Sequence, residues 1–73
     1  MIEGAAPNPS LSPRETEVLE MISGGLTNPQ AAERLGVTVH AIKFHLASVY
    51  RKLGVTNRTE AAVALVQSRA EGR

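Results

Sequence analysis

Four helix starts and three glycine stops punctuate this chain at short intervals, and that punctuation leaves room for little except a cluster of short helices. In Ser12-Pro13-Arg14-Glu15, Ser12 can cap, Pro13 suits the first helical position, and Glu15 can reach back as the second half of a capping box. Thr27-Asn28-Pro29-Gln30 repeats the signal, with Pro29 tolerated in a first turn that needs no donor there. Thr38 is a third cap, and Asn57 with Glu60 a fourth. Gly24-Gly25, Gly36 and Gly54 fall where helices would end. The expected elements are helix 1 from Pro13 to about Ser23, helix 2 over about Pro29–Leu35, helix 3 over Thr38–Leu53, and helix 4 over about residues 57–68. Arg69–Arg73 are expected to fray. The fold class is all-α.

Apolar spacing assigns the inward faces. Val18, Leu19 and Ile22 form the stripe of helix 1, and Ala31, Ala32 and Leu35 that of helix 2, with Val37 and Val55 tucking in behind the turns. With successive residues about 100° apart, helix 3 separates into two faces. Ile42, Leu46, Val49 and Leu53 make a core stripe with Tyr50 at its edge; His40, Phe44, Ala47 and Arg51 lie opposite, flanked by Lys43 and Ser48. His45 falls toward the edge of the core face, as a packing histidine or a phosphate contact. A single exposed phenylalanine is common and often means nothing. One ringed by lysine, arginine and histidine also suits the major groove of DNA, where cations meet phosphate and guanine and apolar groups meet thymine methyls. Helix 4 carries two stripes, Ala61, Ala62 and Leu65 on one side and Thr59, Val63, Val66 and Ala70 on another. A helix in a small bundle needs one, so the second is a candidate dimer surface, although scattered surface valines also occur without function.

The 73 residues suffice for one small domain, burying about 60% of its unfolded surface. Cysteine is absent, which excludes disulfides and thiolate chemistry. The two histidines, His40 and His45, lack the four-residue spacing of paired ligands, so no metal site and no cofactor are expected. No long apolar run or signal pattern is present, so no membrane association is expected and the chain reads as cytoplasmic. No nucleophile, base and orienter come together, which argues against an enzyme. Residues 1–10, with Gly4, Pro7, Asn8 and Pro9, read as a disordered linker ahead of a domain over 11–70. The net charge of +1 says little, but its distribution says more: Arg34, Lys43, Arg51, Lys52 and Arg58 occur between Arg34 and Thr59 without one acid, whereas helix 1 carries Glu15, Glu17 and Glu20. That asymmetry fits a nucleic-acid surface, although a set of solvated charged faces is the commoner source of such a pattern.

A short helix, a glycine-containing turn and a longer helix with exposed cations form a helix-turn-helix pattern, here over 28–47, a geometry shared with a generic αα-corner. The motif string goes further. Ser12-Pro13-Arg14-Glu15-x-Glu17-Val18-Leu19, Gly25-Leu26-Thr27-Asn28, Ala32-x-x-Leu35-Gly36-Val37, and Ile42-Lys43-x-His45-x-x-x-Val49-Tyr50-x-Lys52-Leu53-Gly54-Val55-x-Asn57-Arg58-x-Glu60-Ala61 together resemble the LuxR/GerE-type helix-turn-helix domain, the output domain of NarL/FixJ-type response regulators and quorum-sensing regulators. The resemblance spans about Leu11–Gln67.

This resemblance implies a four-helix bundle whose third helix enters the major groove and whose fourth often mediates dimerisation on DNA. It implies that Lys43 contacts base and phosphate, that Phe44 and Ala47 face base edges, and that Thr27, Asn28 and Arg58 are backbone-contacting or scaffold groups. Thr38, His40, Ser48, Arg51 and Lys52 complete the candidate DNA-binding set; Thr59, Val63, Val66 and Ala70 form the candidate dimer set. The sequence departs from the family pattern at Pro29-Gln30-Ala31 and at His40-Ala41-Ile42, where a basic or polar residue, Glu and Ile, and small polar residues followed by Thr-Val, are usual. Ala31 removes apolar volume from helix 2, and Ala47 weakens base readout at a position often polar or basic in relatives. The expected function is sequence-specific binding of double-stranded DNA as a transcriptional regulator's output domain, as a homodimer on DNA, with RNA polymerase a further candidate partner. The alternatives are a module resembling region 4 of a sigma factor, which binds polymerase, and a helical protein-interaction adaptor.

Overall fold

Each helix begins at a side-chain cap in the computed structural model, which describes residues 11–71. The linker expected over 1–10 and the last two residues of the expected fraying segment lie outside the described residues. The elements are α1 (Pro13–Ser23), α2 (Asn28–Leu35), α3 (Val39–Leu53) and α4 (Arg58–Glu71). In α1 the Glu15 N–H donates to Ser12 Oγ at 3.1 Å and the Ser12 N–H donates to Glu15 Oε1 at 2.9 Å. In α2 the same box closes between Thr27 and Gln30, at 3.2 and 2.8 Å. The hydroxyl of Thr38 accepts from the Ala41 N–H at 3.0 Å. Asn57 Oδ1 accepts from the Glu60 N–H at 2.9 Å, but the Glu60 carboxylate goes one residue further back, to the Thr56 N–H at 2.8 Å. These bonds satisfy donors that a helix start otherwise leaves open.

The first three helices end alike. After α2, the Gly36 N–H donates to the Glu33 carbonyl and the Val37 N–H to the Ala32 carbonyl. After α3, Gly54 and Val55 do the same with Arg51 and Tyr50; after α1, Gly25 and Leu26 do so with Ile22 and Met21. This is the Schellman arrangement, and it needs a left-handed residue at its centre. Gly36 at φ 71° and Gly54 at φ 72° supply it, where a side chain would be strained. The residue after each glycine turns inward: Val37 and Val55 are half-buried against the core, as their sequence positions predict.

Helix α1 packs against both α3 and α4, while α2 packs mainly on α3. One core cluster joins Val18, Ile22, Ala31, Ala32, Ile42 and Leu46; a second joins Leu19, Val49, Ala61 and Leu65. Tyr50 touches both, at the edge of the α3 stripe where the wheel places it. Val18, Leu19, Ile42 and Val49 are the largest fully buried side chains, each worth about 1.5–3 kcal/mol. Ala31 is fully buried, so α2 lies close to its neighbours where a larger residue would hold it off. The domain is therefore an all-α four-helix bundle, with one revision: α4 continues to Glu71 instead of stopping near Ser68. Arg69, expected to fray, instead pairs its guanidinium with the Glu20 carboxylate of α1.

Candidate nucleic-acid interface

Packing α3 on α1 and α2 through Ile42, Leu46 and Val49 leaves the opposite face outward. His40, Lys43, Phe44, Ala47 and Arg51 are all exposed, spaced as one helical face. Phe44 is 69% exposed, in the middle of that stripe. Thr38 opens the helix at the same end as His40, and its N-terminal amides are the kind of donors that bind phosphate. A second strip adjoins α2: Arg58 Nη2 donates to Asn28 Oδ1 at 2.9 Å, so the start of α4 and the start of α2, with Thr27, are held together.

Two residues of the sequence-derived set sit differently. Ser48 is buried, not on the flank of the outer face; its hydroxyl donates to Glu15 Oε2 at 2.6 Å. Lys52 Nζ lies 2.9 Å from Glu15 Oε1, so its charge is engaged with an acid of α1. The physical reason is Glu15 itself. It falls three, four and seven residues before Val18, Leu19 and Ile22, on the apolar stripe of α1, and is only 7% exposed. A carboxylate in that position is stable only when paired and hydrogen-bonded. The Ser48 hydroxyl, the Lys52 ammonium and the Ser12 N–H together lower its pKa to about 2. The capping box is readable in the sequence and the pairing with Ser48 and Lys52 is not, although an acid in register with a core stripe signals that a partner is needed.

The pairing has an electrostatic consequence. Arg51 reaches the Ser48 hydroxyl only at a long 3.4 Å, and its side chain stays on the exposed face with Lys43. Lys52, by contrast, is spent largely on the scaffold. Ring planes of Phe44 and His45 meet edge to face, with centroids 5.8 Å apart and an angle of 70°. His45 is half-buried, at the margin between core and outer face.

On α4, Ala61 and Leu65 face the core, and Thr59, Val63, Val66 and Ala70 are exposed. Val63 and Val66 are 50% and 65% exposed, the large apolar side chains left outside along with Phe44 among the described residues. A shallow surface hollow lined by Leu53, Val55, Thr59, Val63, Ala64 and Gln67 lies beside them. No helix among the described residues is long and apolar enough to cross a membrane.

The chain also has relatives among known proteins. The chain is 43% identical over 61 residues to the transcriptional regulatory protein LiaR of Bacillus subtilis, covering 84% of this chain and 29% of LiaR. It is 48% identical over 59 residues to the probable transcriptional regulatory protein SgaR of Hyphomicrobium methylovorum, covering 81% and 28%. It is 39% identical over 59 residues to the nitrate/nitrite response regulator protein NarL of Escherichia coli K12, covering 81% and 27%. The chain thus spans under a third of the length of these relatives. Residues 9–65 match the family described as bacterial regulatory proteins, luxR family, and the chain belongs to that family of regulators, not to an enzyme family.

Proposed function

We propose that this domain binds double-stranded DNA sequence-specifically, as the output domain of a bacterial transcriptional regulator acting in the cytoplasm, with α3 in the major groove. The observation that carries this reading is the outer face of α3, where exposed His40, Lys43, Ala47 and Arg51 surround a 69%-exposed Phe44. Lys43 reads guanine O6 and N7 or a phosphate, and Arg51 supplies attraction further along the helix. Phe44 meets a thymine methyl, and Ala47 leaves room for close approach. Thr27, Asn28 and Arg58, held together at the α2 start, and Thr38 at the α3 start, meet the sugar–phosphate backbone. Lys52 acts through its scaffold contact with Glu15 more than through DNA.

Few cations are available on one copy, so useful affinity comes from two copies on half-sites about one helical turn apart. The exposed stripe Thr59, Val63, Val66 and Ala70 of α4 supports that pairing, since it offers an apolar surface with no use inside one copy.

The deciding experiment is binding to random-sequence duplex DNA across a salt series. Affinity that falls linearly with log salt, with a slope equivalent to a few phosphates, supports the reading. No binding at low salt refutes it for this domain and directs attention to polymerase or another protein partner.

A further inference from the structure

A side chain that reads a base edge has to hold its ring in one place, and Phe44 has little on its own face to hold it. On a helix surface, residues three and four positions apart are neighbours. For Phe44 these are His40, Ala41, Ala47 and Ser48. Two are alanines, and Ser48 is turned into the buried Glu15 carboxylate. The ring contact that α3 does supply comes from the adjacent His45, edge to face at 5.8 Å and 70°, an arrangement aromatic pairs favour. His45 is half-buried at the margin of the core face, while Phe44 stands in the open.

We infer that His45 is a positioning residue for sequence readout, bracing the exposed Phe44 ring so that it meets a thymine C5-methyl. This rests on the DNA-binding reading above and adds a residue that needs no DNA contact of its own. Without the brace the phenyl ring samples other rotamers and the methyl contact is made only part of the time, while the charge contacts of Lys43 and Arg51 are untouched.

The probe is the tightest duplex selected from a random pool, together with copies carrying deoxyuridine at each thymine in turn, which removes the methyl alone. The unmodified protein should lose about fourfold in affinity at one such position, the worth of one buried carbon. In His45→Gln that penalty should fall below about twofold, with the salt slope unchanged. His45→Phe, which keeps a ring, should restore it. A penalty retained in full by His45→Gln, or lost equally in His45→Phe, overturns the brace.

A second readout needs no DNA. Phe44 is the chain's single phenylalanine, so its ring protons are unique in an NMR spectrum. They should show close contacts to the His45 ring in the free protein, and their absence also overturns the inference. Two failures of the underlying reading are distinguishable: DNA binding with no methyl penalty at any thymine removes the Phe44 contact and the brace with it, whereas no DNA binding at all removes the function.

Discussion

Replacing Glu15 by glutamine, and following stability into acid, tests how this domain holds α3 in place. The Glu15 carboxyl stands at about 2 against an ordinary 4.5, chiefly because the Ser48 hydroxyl donates to it, then because of Lys52 and the Ser12 N–H. At about 1.4 kcal/mol for each pH unit, that displacement corresponds to about 3 kcal/mol. The Lys52 side chain is 32% exposed, so water screens part of the attraction, and about 2 kcal/mol is the better expectation. A domain of this length has about 4–10 kcal/mol of stability in all, so the share is large. The folded protein holds this carboxyl below its unfolded value. Its stabilisation is therefore complete above 4.5 and disappears as pH falls from 4.5 toward 2. Urea unfolding followed by circular dichroism, at a series of pH values, should show Glu15→Gln less stable at neutral pH by about 2 kcal/mol. The gap should close through the same acid window, because protonated glutamate resembles glutamine. Glu60, whose pKa the Thr56 N–H lowers, titrates in both proteins and cancels from the difference. A gap that stays constant down to the acid end, or no gap at neutral pH, would refute the charge pairing as the source of stability.

Lys43→Ala and Lys52→Ala should separate binding from scaffold. The first should weaken DNA binding by about 1–3 kcal/mol with little change in melting temperature, and the second should lower the melting temperature more than it flattens the salt slope; the reverse pattern would exchange their roles. Phe44→Ala should alter the sequence preference recovered by selection while leaving thermal stability nearly intact, since the ring is 69% exposed; a large loss of stability would place Phe44 in a core contact. Val63→Glu combined with Val66→Glu should abolish cooperative binding to paired half-sites in a gel-shift titration, and cooperativity that survives both charges would move the dimer surface off α4.

Much of the candidate interface was legible because helical periodicity reports which residues share a face. His40, Lys43, Phe44, Ala47 and Arg51 are exposed together, as the wheel over α3 predicts. The same wheel misplaces Ser48, which lies close enough to the core margin for one buried hydrogen bond to decide its direction. It also leaves Lys52 on the DNA list, since nothing local to α3 reveals an acid on another helix. The end of α4 was missed for a similar reason: the last turn is joined to α1 through Arg69 and Glu20, a pairing that no local stop signal encodes.

The sequence by itself determined where the helices begin and where three of them end. A cap or a Schellman turn is settled by groups three to five residues apart, whose chemistry is readable in order. It also determined which stripes are apolar. Only the tertiary structure decided what Glu15 is for. Its partners Ser48 and Lys52 lie 33 and 37 residues away, and their approach depends on how α1 and α3 pack. The bond between Arg58 and Asn28, 30 residues apart, is of the same kind. Burial makes an unpaired charge costly, so the packed core selects which polar groups meet across it, and that selection turned an acid of the first turn into the anchor of α3.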